Sequence, residues 1–212
     1  MTSRGSNLEG KQVDRTFNLN TVTDPAAPPT RGAGARIVAL LAVLGGAGIL
    51  TAIVAFFGAL LATPPQTWAG LWSDPVLGVV MLVGGTGGFL VLCVALAGLG
   101  FVVGPKRDPR IVGVAALGAI GGFTALWFPA VMLAMPVAAL IVAIHLARVG
   151  RLPKSIAVFH VTALLGSILV VGLWAQNASL GWGDLIVLLY PVSWIAIGLA
   201  LFRGLPTSAS TA

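Results

Sequence analysis

Residues 111–148 read IVGVAALGAIGGFTALWFPAVMLAMPVAALIVAIHLAR, and the fold turns on whether this stretch is one helix or two. As one helix at 1.5 Å per residue it would be about 57 Å long, far more than a hydrocarbon core of roughly 30 Å accepts even with tilt. It would also leave Arg148, Arg151, Lys154 and Arg203 on the opposite side of the membrane from Lys106, Arg107 and Arg110. Splitting it at Trp127-Phe128-Pro129 gives two short spans, 111–127 and 130–147, and returns every basic residue to one side. The sequence therefore predicts two helices here.

The same alternation organises the rest of the chain. All twelve Lys and Arg lie in stretches that alternate, between apolar runs, with stretches holding neither. Short cytoplasmic loops collect Lys and Arg, so this alternation predicts topology. The linker 63–75 has no Lys or Arg and carries Trp68, Trp72 and Asp74, which assigns it to the outside. Residues 106–110, Lys-Arg-Asp-Pro-Arg, belong inside. The predicted fold is an all-α, polytopic membrane helical bundle of six transmembrane helices, 37–62, 76–103, 111–127, 130–147, 156–174 and 185–202, with both termini inside. Residues 1–35, polar and interrupted by Asp24-Pro25-Ala26-Ala27-Pro28-Pro29, form a cytoplasmic tail with too little apolar surface to order itself. Residues 204–212 form a second, short cytoplasmic tail. The run after Arg36 is longer than an ordinary signal-peptide core, so the first span is expected to be retained as an anchor.

Composition agrees with this class. Of the 212 residues, 58% are hydrophobic and 8% charged, and the mean hydropathy is +1.01. No soluble domain is built with so little charge. The net charge of +6 does not indicate nucleic acid, because the basic residues border apolar runs and are not interleaved with base-stacking aromatics. The expected partners are the bilayer, anionic lipid at the basic inner face, and other membrane proteins met through small-residue helix faces. Trp127, Trp174 and Trp182 join Trp68 and Trp72 beside outer connections, as an interfacial belt would. Trp194 alone falls inside a span.

A weak repeat links the spans. Arg36-Ile37-Val38 opens the first and Arg110-Ile111-Val112 the third. Pro136-Val137 precedes Arg148 by the same interval as Pro191-Val192 precedes Arg203, which suggests three helical hairpins with prolines kinking the fourth and sixth helices at equal depth.

Two features qualify as candidate sites. Gly84-Gly85-Thr86-Gly87-Gly88 lies in the middle of the second span, and Gly118-x-x-x-Gly122 in the third. Glycines at this spacing let helix backbones meet closely. Alternatively, four glycines in five residues unwind the helix around a small solute, as broken transporter helices do. The second feature is the pair His145 and His160, expected at similar depth on adjacent helices. They are read as interhelical hydrogen-bonding groups before metal or haem ligands, since no third ligand is in reach. Cys93, the single cysteine, excludes an internal disulfide.

Absences shape the functional expectation. No Asp, Glu, Lys or Arg lies inside a span away from its ends, which argues against ion-coupled transport. No serine stands in a Gly-x-Ser-x-Gly setting beside either histidine, and Ser155 and Ser167 read as packing hydroxyls. No catalytic residue, cofactor or metal is expected. The chain is read as a non-enzymatic accessory or subunit protein of a membrane assembly in the plasma membrane of a bacterium. The alternative is a small-solute binding or permeation component built on the second span.

Overall fold

The computed structural model describes residues 33–62, 74–103, 108–128, 131, 133–175 and 182–203. The expectations for residues 1–32 and 204–212, Trp68, Trp72 and Arg107 fall outside the described residues. The described residues form helices and turns with no strand.

Six helical segments follow one another. Helix α1 spans Ala33–Ala62 and so begins inside the stretch expected to be tail. Helix α2, residues 75–103, joins Pro75–Val80, a π-wound segment Met81–Gly87, the α-helical Gly88–Gly98 and a second π turn Leu99–Val103. Helix α3 is Pro109–Thr124, α4 is Ala134–Arg148 and α5 is Lys154–Ala175. Helix α6, residues 182–203, opens with the 3-10 segment Trp182–Leu188 and continues as Leu189–Arg203.

Four of these, Ala33–Leu61, Pro75–Phe101, Lys154–Leu173 and Asp184–Arg203, are long and apolar enough to cross a membrane. Helices α3 and α4 are shorter, with 16 and 15 residues. The stretch 111–148 is thus two helices with a break near Trp127, although the break is wider than the sequence indicates: α3 stops at Thr124 and α4 starts at Ala134. The Thr124 carbonyl accepts from Trp127 N and Phe128 N at 3.0 and 2.9 Å, closing a turn.

Local chemistry sets the helix ends. Asp74 and Asp108 each precede a proline at the first helical position. The Asp74 carboxylate accepts from Val76 N and Leu77 N at 2.8 and 3.1 Å, and that of Asp108 from Arg110 N at 3.0 Å. Aspartate satisfies orphan N–H groups there, and proline has none to satisfy. Helix α4 ends at Gly150, whose φ of +70° suits only a residue without Cβ. Beyond it Arg151 N and Leu152 N both donate to Leu146 O, at 2.8 and 3.1 Å, and Leu152, 2% exposed, plugs the core.

Pro136 is the third residue of α4, within the first turn where the missing N–H is an orphan in any case. Pro191 is the third residue of Leu189–Arg203, just past the junction with the 3-10 segment that opens α6.

The helices pack in chain order, α1 on α2 and so on through α5 on α6, and the ring closes where α6 lies along α1. The three expected hairpin pairs all pack, and so do the pairs between them. One continuous core includes Ala39, Leu92, Leu96, Met135, Val142 and Trp194. Large apolar side chains such as Leu61, Val76, Leu117 and Leu165 point outward. A helix apolar all round belongs in lipid or deep inside a protein.

Close approach holds the ring together. A Cβ at Gly84 would stand 2.8 Å from Gly48 O, and one at Gly88 2.9 Å from Gly45 O; Gly45 and Gly48 reciprocate, 2.9 Å from Gly88 O and 3.0 Å from Gly84 O. Helices α1 and α2 therefore meet backbone to backbone. On the other side of α1, a Cβ at Gly46 would lie 2.7 Å from Pro191 O, and one at Gly198 2.6 Å from Ala39 O.

Candidate functional site

His160 of α5 is fully enclosed, as is Ser193 of α6. The His160 Nδ1 to Ser193 Oγ distance is 2.7 Å, and Ser193 Oγ donates to Tyr190 O at 2.6 Å. A serine hydroxyl has one hydrogen. With that hydrogen on the Tyr190 carbonyl, Nδ1 must carry the imidazole proton and donate to Oγ. Nε2 is then a bare acceptor, buried without a hydrogen-bond partner, and the buried Nε1–H of Trp194 likewise has none. The indole meets the imidazole edge to face, with centroids 5.3 Å apart, and the Tyr190 ring lies 5.8 Å away. The Tyr190 hydroxyl reaches Met135 Sδ of α4 at 3.4 Å. Three helices thus converge on one small polar cluster inside an apolar core.

Sequence reasoning finds His160 but misses Ser193, Tyr190 and Met135, and assigns Trp194 no partner. A usable signal existed: Ser193 is the only Ser or Thr in residues 182–203, and a lone hydroxyl in a span seeks a polar side chain on a neighbouring helix. Ser193 stands in Pro-Val-Ser-Trp-Ile, not in a Gly-x-Ser-x-Gly setting, and helix packing alone brings it to His160. The pair is nonetheless set up opposite to an activated nucleophile. A general base accepts the serine proton, whereas His160 donates to Ser193, and both are sealed from the surface.

No hydrogen bond or ring contact joins His145 to His160 among the described residues. The polar neighbours of His160 lie on α6, whereas His145 Nε2 is enclosed without a partner. No group of three or more His, Cys, Asp or Glu converges among the described residues.

The glycine-rich segment presents two faces. Gly84 and Gly88 press on α1 as described. The segment is helical throughout, π-wound rather than unwound, and Gly150 is the only positive-φ glycine among the described residues. Its other face opens on a hollow of about 540 Å³ bordered by Gly78, Leu82, Gly85, Thr86, Phe89 and Leu126. A Cβ at Gly78 would meet nothing within 4 Å, and one at Gly87 only Leu82 O of its own helix at 3.7 Å. Gly84, Gly85 and Gly87 belong to the π-wound segment, whereas Gly78 and Gly88 belong to the α-helical stretches on either side of it.

No protein-family model, curated protein or solved structure matches this chain.

Proposed function

We propose that this protein is a non-enzymatic, multi-pass subunit or accessory component of a larger membrane assembly, and that it seats a transmembrane helix of a partner against the open face of α2. The observation that carries this reading is that the small residues Gly78, Gly85 and Thr86 border the 540 Å³ hollow, with nothing within 4 Å of a Cβ at Gly78 and only the Ala52 Cβ near one at Gly85. Between helices in lipid no hydrophobic force acts, and close backbone approach at small residues supplies the attraction. The buried His160–Ser193 pair supports a structural role, since its hydroxyl proton is already committed to a carbonyl.

Six spans with both termini inside a bacterial plasma membrane complete the proposal. Helices α3 and α4 measure roughly 24 and 22 Å, short of the hydrocarbon core, and the turns flanking them make up the difference. Support comes from charge: with Arg110 in the first turn of α3 and Arg148 at the end of α4, crossing by both short helices keeps the basic residues on one side.

A photo-crosslinking residue at Leu82, 65% exposed, tests the docking face in the native membrane. A single protein adduct of defined mass is expected, lost when Gly85→Leu crowds the hollow. Gly85 has only the Ala52 Cβ near it, at 3.5 Å, so the variant should fold. Adducts with lipid alone would overturn the reading. The second reading, a small solute in the same hollow, is favoured by the one hydroxyl there, Thr86. A co-purifying small molecule lost in Thr86→Val would establish it.

A further inference from the structure

A second groove lies at the opposite end of the bundle, between α4 and α5, with a volume of about 320 Å³. Ligand-holding clefts begin at roughly this size. Its walls are apolar, with Ile144 and Ala147 from α4 and Val158 and Val161 from α5, and two cations, Arg148 and Lys154, border it. Both cations are exposed, and neither has an acidic partner among the described residues. Arg148 is the last residue of α4 and Lys154 the first of α5, so both stand at one end of the groove, where the chain turns at Gly150. From there the α5 wall climbs about 12 Å, from residue 154 to residue 162.

We infer that this groove is a binding site for an anionic phospholipid, whose phosphate is held by Arg148 and Lys154 and whose acyl chain lies along Val158 and Val161. A charged head and an apolar tail match the two ends of the groove in order and in depth. Zwitterionic lipid carries an extra cation that these side chains would repel, and inorganic phosphate lacks anything to fill the apolar wall.

The test uses the full chain in mild detergent, with phosphatidylglycerol, phosphatidylcholine and inorganic phosphate as probes, read by native mass spectrometry and by melting temperature. Phosphatidylglycerol should be retained about tenfold better than phosphatidylcholine. Arg148→Gln/Lys154→Gln should reduce its retention roughly 10- to 30-fold, while Arg203→Gln, an exposed cation outside the groove, leaves it unchanged. Val158→Trp blocks the apolar wall from a position already 64% exposed and should weaken phosphatidylglycerol with both cations intact. Should the double variant melt early without lipid, Lys154→Gln alone must still show partial loss. Equal retention of the two lipids, equal loss in Arg203→Gln, no effect of Val158→Trp, or full stabilisation by inorganic phosphate would each overturn the site.

Discussion

Helices α4 and α6 follow one plan and serve it differently. The segments Ala134–Arg148 and Leu189–Arg203 each have 15 residues, with proline third, valine fourth and arginine last. Their second residues, Met135 and Tyr190, touch each other. The next two positions diverge: Ala138-Ala139 in α4, Ser193-Trp194 in α6. In α4, Ala138 together with Ala134 one turn earlier lets glycines of α3 come close, since a Cβ at Gly118 would collide with that of Ala138, and one at Gly121 with that of Ala134. In α6 a fully buried indole and hydroxyl fill the space and bind α5 through His160. The same helix design is used once for intimacy between backbones and once for bulk. The preceding residues differ too, because the 3-10 turn of α6 lengthens it to membrane-crossing size whereas a break stops α4 short.

The largest expected effects concern what each helix presses against. Gly46→Ala drives a methyl into Pro191 O, and Gly118→Ala drives one into the Ala138 side chain. Each should cost about 1–3 kcal/mol, read as thermal unfolding in detergent. Ala138→Gly should restore most of the loss from Gly118→Ala. Ile195→Ala should restore little in Gly46→Ala, because a carbonyl cannot be trimmed. Equal rescue on both sides would break the contrast.

An effect of similar size is expected from the polar cluster that α4 lacks. Ser193→Ala leaves His160 Nδ1–H buried and unpaired, at a cost of about 1–3 kcal/mol. Combining it with His160→Phe should cost less than the sum, with a coupling of roughly 0.6–1.7 kcal/mol, as for other hydrogen bonds between membrane helices. A coupling of zero would mean that the two side chains are neighbours without being partners.

The smallest effects separate the prolines. Pro136, half-buried in the first turn of α4, should tolerate alanine within about 0.5 kcal/mol. Pro191 is fully buried, and Pro191→Ala should cost about 1 kcal/mol for the space it leaves. A reversal of that order would show that backbone geometry, rather than packing, distinguishes the two.

The divided stretch 111–148 was legible because charge and length together forbid a single helix. The helix boundaries were less so. Asp74-Pro75 and Asp108-Pro109 are readable start signals for α2 and α3, yet charge bookkeeping treats these aspartates only as markers of a boundary. Closure of α6 on α1 was not legible at all, since an apolar helix without an amphipathic stripe says nothing about which neighbour it prefers. The contacts that choose set Gly46 against Pro191 O and the Ile195 side chain, and Gly198 against Ala39 O and the Val43 side chain, and a glycine facing an apolar side chain in an apolar helix leaves no distinctive pair to read. His160–Ser193 hides for the related reason that 33 residues separate its members.

Ring closure between the first helix and the last also has a consequence in time. At roughly 5–20 residues per second, the carbonyl of Pro191 is made roughly 7–30 s after Gly46, the residue it rests on. Once α2, complete at residue 103, has packed on one glycine-bearing flank of α1, the other flank stays bare for the remainder of that interval. A nascent chain that stalls or terminates before α6 therefore leaves the Gly46 flank of α1 without the helix that covers it in the finished fold.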